Sequence, residues 1–178
     1  MEKFIYKSVD DIKNHLDKQQ YIADRSLSTS LFLSLKMNKP IFLEGEPGVG
    51  KTEVGKVLSK IMNAKLIRLQ CYEGLDVHNA IYEWNYSRQI LQIRLMEAGG
   101  QKNKEKITDE IFGSKFLIKR PLYKAIDHGD IIPPVLLIDE LDRADEEFEA
   151  FLLEILSDYQ ISIPEIGTIK AKVPPVVV

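Results

Sequence analysis

The chain has 178 residues and a formal net charge of -3, with 44% hydrophobic and 29% charged residues. This length suits one domain with one core, and the slightly acidic balance offers no broad basic surface for nucleic acid. No run approaches the roughly 18 apolar residues of a membrane span, and the start Met1-Glu2-Lys3-Phe4 lacks the features of a secretory signal. With a single cysteine, Cys71, the composition predicts a cytoplasmic protein in a reducing compartment.

The first half of the chain predicts alternating helices and strands. Residues 1–20 are polar and are expected to pack loosely, as an N-terminal extension to a domain over residues 21–178. Apolar residues at helical spacing predict helices, and short apolar runs predict buried strands. In chain order these are a helix over residues 24–37 capped by Asp24, a strand over 40–44, a helix over 53–62 and a strand over 65–70.

The next segment is longer than a simple crossover between two strands requires. Residues 86–98 form a clear helical pattern that Gly99 and Gly100 end, and residues 101–106 form a polar linker. Thr108 is a possible cap for a short helix over residues 109–112. A further helix is predicted over residues 117–128.

The last part of the chain begins with an unbroken apolar run over residues 135–138, typical of a central strand in a parallel sheet. A helix over residues 146–157 follows, and alternating residues over 159–163 and 167–171 predict a β-hairpin. Residues 174–178, Pro-Pro-Val-Val-Val, are expected to open another core strand. Because natural termini are rarely so apolar, we expect the chain to be an N-terminal fragment of a longer protein.

The strongest motif is a complete phosphate-binding loop between the first predicted strand and the following helix. It reads Gly45-Glu46-Pro47-Gly48-Val49-Gly50-Lys51-Thr52, with Glu53 directly after it. In such a loop the backbone N–H groups and the helix N-terminus face phosphate oxygens. Lys51 is expected to reach the β- and γ-phosphates, and the Thr52 hydroxyl to ligate Mg²⁺. The sequence therefore predicts a site for a nucleoside triphosphate, since a glycine-rich turn with a chance lysine rarely has both flanks correct.

A second motif, the acidic pair Asp139-Glu140, ends the central strand. Phosphate loops lie at the carboxyl edge of parallel sheets, so Asp139 is expected beside Thr52, where it can hold Mg²⁺ through water. Glu140 is placed to orient and deprotonate the water that attacks the γ-phosphate. The alternative, an ordinary solvated turn, is weaker beside a phosphate loop. The pair predicts ATP hydrolysis, with Glu140 and Lys51 as the catalytic residues.

Other interpretations of these residues stay open. Asp139-Glu140-Leu141-Asp142 matches the D-E-x-D pattern of helicases, although the acidic helix after it argues against a strand-binding surface. A nucleotide-switched scaffold that hydrolyses slowly would share every residue of the site. Arg143 could face a neighbouring subunit or pair locally with Asp142 or Glu146. An aromatic cluster of Tyr82, Trp84 and Tyr86 could belong to the core or contact a partner.

The phosphate loop with Leu43-Glu44 before it, and residues 137–144, resemble AAA+ ATPases of the MoxR group. Within that group, three further stretches resemble the CoxD-type ATPases. They are Tyr21-Ile22-Ala23-Asp24-Arg25, residues 68–76 with the sequence RLQCYEGLD, and residues 148–158 with the sequence FEAFLLEILSD. The resemblance implies a P-loop NTPase fold of the AAA+ kind, in which helices flank a parallel sheet and a β-hairpin is inserted before the sensor strand.

The resemblance also implies an assembly and a role. Family members form rings, usually hexamers, with ATP bound between protomers, and residues 75–119 would contain an insertion near the central pore. Ile22 and Ala23 would lie near the adenine, and the sensor residues, arginine finger and lid would follow Val178. The chain is therefore expected to bind nucleotide better than it hydrolyses it. CoxD-type proteins are associated with maturation of molybdenum-containing hydroxylases such as carbon monoxide dehydrogenase. The implied role is chaperone-like remodelling of a metalloenzyme client, with a von Willebrand A domain protein as partner.

Overall fold

A computed structural model of the chain describes residues 6–100 and 103–178. Its helices, in chain order, are α1 Val9–Lys18, α2 Arg25–Met37, α3 Lys51–Ile61, α4 Val77–Ile81, α5 Tyr86–Ala98, α6 Lys104–Ile111, α7 Pro121–Ile126 and α8 Glu146–Asp158. The strands are β1 Leu66–Gln70, β2 Tyr82–Trp84, β3 Leu117–Lys119, β4 Val135–Asp139, β5 Gln160–Ile163, β6 Gly167–Lys170 and β7 Val176–Val177. None of these helices is both long and apolar enough to span a membrane.

The central sheet has the strand order β1-β4-β7, and both pairings in it are parallel. Leu66 is in register with Val135, and Gln70 is in register with Asp139. Both strands therefore end at the same edge of the sheet, which is the edge that carries Asp139 and Glu140. The predicted parallel sheet with helices around it is confirmed.

Two hydrophobic clusters cover the two faces of this sheet. On one face, α1, α2 and α3 contribute Leu16, Leu31 and Leu58 to a cluster that includes Val135 of β4. On the other face, Leu136 of β4 packs with residues of α7, α8 and the β5–β6 hairpin. Since side chains of a strand alternate between faces, neighbouring residues of β4 enter different clusters. The site-bearing strand is thus fixed from both sides.

Side-chain caps explain where several of the helices begin. The Asp24 carboxylate accepts a hydrogen bond from the Leu27 N–H at 2.7 Å, and Asp145 accepts one from the Phe148 N–H at 2.8 Å. Each cap satisfies an N–H group that lacks a partner within its helix. The predicted helices at these positions are confirmed, as are α5 and the antiparallel β5–β6 hairpin.

The prediction of a loosely packed N-terminal extension is wrong for the residues that the structure describes. Helix α1 places Ile12 and Leu16 in full burial against the cluster formed with α2 and α3. Ser8 caps α1 by accepting a hydrogen bond from the Asp11 N–H at 3.1 Å. The spacing of Ile12 and Leu16, four residues apart, gives the helix one apolar stripe although its composition is polar. Residues 1–5 lie outside the described part.

The run over residues 40–44, predicted as a buried strand, does not form a regular strand. Ile41 donates its N–H to the Val177 carbonyl at 3.0 Å, which places this segment next to β7. Pro40 has no N–H to donate, and β7 is two residues long, so few ladder bonds can form. Phe42 is 73% exposed, whereas Ile41 and Leu43 are half-buried against the cluster of α1, α2 and α3, so the segment is buried only in part. It nevertheless leads into the loop at the edge where the site lies.

Two predictions between residues 101 and 128 are also corrected. Helix α6 starts at Lys104 with Asn103 as its cap, where a linker and a shorter helix capped by Thr108 were predicted. Residues 101–102 of that linker lie outside the described part. The predicted helix over residues 117–128 is divided, because Leu117–Lys119 pairs with Tyr82–Trp84 as strand β3. Pro121 then occupies the first position of α7, and the residue before a proline favours extended backbone.

Candidate functional site

The loop over residues 45–52 connects the segment beside β7 with the first turn of α3. Gly48 and Gly50 both have left-handed backbone conformations, with φ of +83° and +90°. A Cβ on Gly48 would enter open space, so the backbone conformation rather than crowding favours glycine there. Gly50 is the N-cap of α3, and as a glycine it leaves the first N–H groups of the helix open to a ligand. The loop therefore presents backbone donors at a helix N-terminus, which is a favourable place for an anion.

The Lys51 ammonium lies over this loop rather than extending into solvent. Its Nζ atom donates to the Gly45 carbonyl at 2.5 Å and to the Glu46 carbonyl at 2.7 Å. The cation and the free N–H groups of the helix thus face the same small region. This arrangement concentrates positive charge where the sequence predicted the phosphates of a nucleotide.

The central contact of the site joins α3 to β4. Thr52 donates its Oγ1 hydroxyl to Asp139 Oδ1 at 3.1 Å, although the two residues are 87 positions apart in the chain. The Asp139 side chain is only 15% exposed, because it sits between the sheet edge and the first turn of α3. The prediction that Asp139 emerges beside Thr52 is confirmed. A hydroxyl and a carboxylate oxygen at this distance are the kind of hard oxygen pair that Mg²⁺ binds.

A cation also contacts Asp139, and the sequence analysis missed it. The Arg68 Nη2 atom lies 2.6 Å from Asp139 Oδ2 and 2.5 Å from Gln70 Oε1. Arg68 belongs to β1, the strand beside β4. An arginine between the apolar residues Ile67 and Leu69 of a strand, two residues before its end, was the available signal. That signal has meaning only once β1 and β4 are known to be neighbours.

Glu140 follows β4 with a left-handed backbone, φ +56°, which is uncommon for a residue other than glycine. Such conformations are strained and concentrate at functional positions. Its carboxylate is half-exposed at the rim of the site, and Arg143 Nε lies 3.0 Å from Oε2. Arg143 does make a local ion pair, but with Glu140 rather than with the predicted partners Asp142 or Glu146. The turn from Leu141 to Arg143 brings its side chain back toward the strand end.

The segment before α2 also approaches the loop. The Tyr21 hydroxyl donates to the Gly50 carbonyl at 3.5 Å, and its ring lies 3.7 Å from where a Gly50 Cβ would be. Burial raises the pKa of Tyr21, and the carboxylates of Glu53 and Asp24 add to the effect. Ile22 is 93% exposed, whereas the Ala23 side chain is buried in the cluster with α1 and α2. Ile22 therefore offers a free apolar surface near the loop, and Ala23 does not.

Two further residues near the site, Glu53 and Cys71, have shifted pKa values. Glu53 forms an ion pair with Lys56 at 2.9 Å, and this hydrogen bond lowers the pKa of Glu53. Cys71, directly after β1, donates its backbone N–H to the Asp139 carbonyl at 2.9 Å. Burial raises the pKa of the Cys71 thiol to about 11, with a further contribution from nearby carboxylates including Asp139. The thiol thus stays protonated near neutral pH and acts as a small buried side chain.

The aromatic cluster of the sequence analysis is divided between core and surface. Tyr82 and Trp84 are buried and meet edge to face, with ring centroids 6.0 Å apart. Trp84 also contacts the Phe112 ring, at 5.4 Å between centroids. Tyr86 is exposed at the start of α5. The core interpretation therefore holds for the first two rings.

Comparison with known proteins places this site in a family. The family model described as AAA domain (dynein-related subfamily) matches residues 40–176. An uncharacterized protein of Staphylococcus haemolyticus is 28% identical over 160 residues, covering 88% of this chain and 52% of its own length. One of Staphylococcus epidermidis is 29% identical over 141 residues, covering 78% of this chain and 44% of the relative.

A more distant similarity links the chain to a larger enzyme. The Lon protease of Clostridium beijerinckii is 28% identical over 120 residues, covering 60% of this chain and 15% of the protease. The chain spans about half the length of the staphylococcal relatives. The family match includes the loop at Lys51, the Thr52–Asp139 contact and all of the central sheet except Val177. The chain therefore belongs to the AAA ATPase domains, in the dynein-related subfamily.

Proposed function

We propose that this chain binds MgATP at the carboxyl edge of its central sheet and hydrolyses it. The observation that carries the proposal is the 3.1 Å hydrogen bond from Thr52 Oγ1 to Asp139 Oδ1. It brings together the phosphate loop and the acidic pair, whose residues Thr52 and Asp139 are 87 positions apart in the chain. A phosphate loop alone would support binding only, whereas the acidic pair beside it supports hydrolysis.

The residues of the site fit a triphosphate and a magnesium ion. The open first turn of α3 and the Lys51 ammonium would bind the phosphates through backbone N–H groups and one cation. Thr52 and Asp139 would hold Mg²⁺, which neutralises phosphate charge when it is bound. Ile22, which is exposed beside the loop, would contact the adenine. Ala23 would support that contact from the core rather than touch the base.

Glu140 is the proposed general base. Its carboxylate is half-exposed one residue beyond Asp139, so a water molecule from solvent can reach it. Glu140 would orient this water and accept its proton at a carboxylate oxygen as the water attacks the γ-phosphate. Lys51 would stabilise the charge that develops on the phosphate oxygens. The ion pair with Arg143 limits the orientations that Glu140 can adopt before water arrives.

The finer assignment rests on the resemblance described above. We place the chain in the MoxR group and nearest to the CoxD-type ATPases, on the stretches that begin at Tyr21, Arg68 and Phe148. The proposed assembly is a hexameric ring whose sites are completed by neighbouring protomers. The proposed work is remodelling of a metalloenzyme, such as a molybdenum-containing hydroxylase, together with a von Willebrand A domain partner. Stimulation of ATP turnover by such a purified partner would test this assignment, and unchanged turnover would count against it.

The first experiment tests the phosphate loop. We expect Lys51→Ala to lose ATP binding, because the variant removes the cation that faces the phosphates. The measurement is titration of a fluorescent ATP analogue in the presence of MgCl₂. Lys56→Ala is the matched control, since Lys56 lies on the same helix but pairs with Glu53. If Lys51→Ala binds the analogue as tightly as the parent chain, the loop assignment is wrong.

The second experiment tests the ring. ATP turnover per protomer is measured against protein concentration. A steep rise with concentration is expected if neighbouring protomers complete the site. A flat response would mean that each protomer carries a whole site. That result would contradict the proposed ring but not the proposed ATP binding.

A further inference from the structure

Strand β1 presents Arg68 on the face of the sheet that carries the phosphate loop. Side chains alternate along a strand, so Leu66, Arg68 and Gln70 share one face. In the parallel register Arg68 lies opposite Leu137, and Leu137 packs against Gly55 of α3, where a Gly55 Cβ would lie 3.1 Å from the leucine. Helix α3 therefore covers this face. Arg68 extends along the strand toward the edge where α3 begins.

The contacts of Arg68 bring a fixed cation to the proposed metal site. Its Nη2 atom lies 2.6 Å from Asp139 Oδ2, while Thr52 occupies the other oxygen, Oδ1. Gln70 Oε1 accepts a second hydrogen bond from the same nitrogen and steadies the guanidinium. The Asp139 carboxylate is thus neutralised from within the chain by a side chain of the neighbouring strand.

We propose that Arg68 is a positioning residue that neutralises Asp139, so that the site accepts a nucleoside triphosphate without requiring Mg²⁺ first. This inference rests on the proposed ATP site. An uncompensated carboxylate at the end of β4 would repel the phosphates that Lys51 and α3 attract. Between like charges in a partly exposed site, such a repulsion is large enough to change affinity by about tenfold. Arg68 removes it, and Mg²⁺ then adds to binding rather than being essential to it.

A purely structural role for Arg68 predicts a different result. The Arg68 side chain is 50% exposed. An ion pair whose cation is half in solvent contributes little to folding. A structural role would therefore lower stability slightly and change ATP affinity equally with and without metal. The proposed role changes the ratio of the two affinities, which stability does not affect.

The test compares ATP affinity in excess MgCl₂ with ATP affinity in EDTA, measured by calorimetry or with a fluorescent analogue. The variant is Arg68→Gln, which keeps a hydrogen-bond donor but removes the charge. Arg68→Lys restores a cation at the same position. Lys65→Gln is the matched control, because Lys65 directly precedes β1 and forms an ion pair with Asp130 at 2.9 Å. Thermal denaturation of each variant checks folding, and Arg68→Met replaces Arg68→Gln if the latter does not fold.

We expect the ratio of the dissociation constant in EDTA to that in MgCl₂ to rise about tenfold in Arg68→Gln. Arg68→Lys should restore most of the parental ratio, and Lys65→Gln should leave it unchanged. An unchanged or smaller ratio in Arg68→Gln would overturn the proposal, as would a parent chain that binds ATP only with Mg²⁺. Failure of the underlying function looks different, since the parent chain would then bind no ATP under either condition.

Discussion

Strand β1 has a lysine or arginine ion pair near each end, and the two pairs differ in what surrounds them. Near the amino end, Lys65 pairs with Asp130 at 2.9 Å, and the lysine side chain is 71% exposed. Near the carboxyl end, Arg68 pairs with Asp139 at 2.6 Å, and Asp139 is far less exposed than Asp130. The pairs are similar in distance and charge. Only the second aspartate also meets a hydroxyl of the phosphate loop.

This difference shows that the distance and charges of an ion pair do not by themselves identify a functional site. The other groups that lie around the pair do. At the amino end, the Asp130 backbone N–H donates to His128 Nδ1 at 3.1 Å, and His128 in turn contacts the Val173 carbonyl at 3.0 Å. These contacts join the turn at residues 128–130 to the segment that precedes β7. At the carboxyl end, a helix N-terminus, a lysine and a carboxylate face one small region. We therefore expect variants at the two ends to differ in function far more than in stability.

The largest expected effect is on turnover, at the carboxyl end. Glu140→Gln should reduce ATP hydrolysis by about 10²–10⁴-fold, because an amide cannot accept the proton from the attacking water. MgATP affinity should stay close to that of the parent chain. Steady-state phosphate release and calorimetric titration give the two quantities. Glu147→Gln, an exposed glutamate on α8, is the control. Parental turnover in Glu140→Gln would remove Glu140 from the role of base.

The next largest effect is on stability, at Leu136 in the middle of the central sheet. Leu136 is fully buried in the cluster with α7 and α8. Leu136→Ala should lower the free energy of unfolding by about 2–5 kcal/mol, since it removes buried methyl groups and leaves a cavity. Chemical denaturation measures the change. Leu66→Ala, at an exposed position of the same sheet, should cost about 0.5 kcal/mol or less. Equal costs for the two variants would contradict the described burial.

A matched pair of aspartate variants tests the comparison directly. Asp139→Asn should weaken MgATP binding about tenfold, because the variant removes the negative charge that would help to hold the metal. Asp130→Asn removes an aspartate of the same kind from the amino end and should leave MgATP binding within about twofold of the parent. Titration with a fluorescent ATP analogue gives both values. If Asp130→Asn weakens binding as much as Asp139→Asn does, the two ends are not functionally distinct.

The smallest expected effect is a change in the alkylation rate of the Cys71 thiol, which lies near Asp139 and other carboxylates. The thiol is buried, and its pKa of about 11 leaves little thiolate at pH 8. Alkylation by iodoacetamide should therefore be at least about tenfold slower in the native chain than in urea. Asp139→Asn should speed the native reaction a few-fold, because one nearby negative charge is lost. Asp130→Asn should not change it. A native rate equal to the unfolded rate would contradict the burial of Cys71.

The sequence was sufficient to predict contacts that follow from general rules of chain topology. A phosphate loop and an acidic pair each occupy a defined edge of a parallel sheet, so the meeting of Thr52 and Asp139 could be expected. Helices with a carboxylate cap, such as α2 and α8, were also predictable, because the cap and the apolar stripe are both local features. In these regions local preference and tertiary packing agree.

The remaining features depend on which segments become neighbours. Arg68 reaches Asp139 only because β1 lies beside β4. The hydrophobic periodicity of either segment does not indicate this strand order. Leu117–Lys119 is a strand because it pairs with Tyr82–Trp84, although its own residues are compatible with a helix. The Glu140–Arg143 pair depends on a turn whose left-handed first residue has no strong sequence signal. Tertiary context decided each of these cases.

Strand β4 is hydrogen-bonded on both sides. Val135 donates its N–H to the Lys65 carbonyl at 2.9 Å, and Ile138 donates to the Val178 carbonyl at 2.8 Å. Amides in such a strand exchange with deuterium through global unfolding, whereas amides of the loop over residues 45–50 exchange through local opening. Deuterium uptake should therefore slow in the loop when a nucleotide is present. In β4 it should follow only the stability of the whole domain.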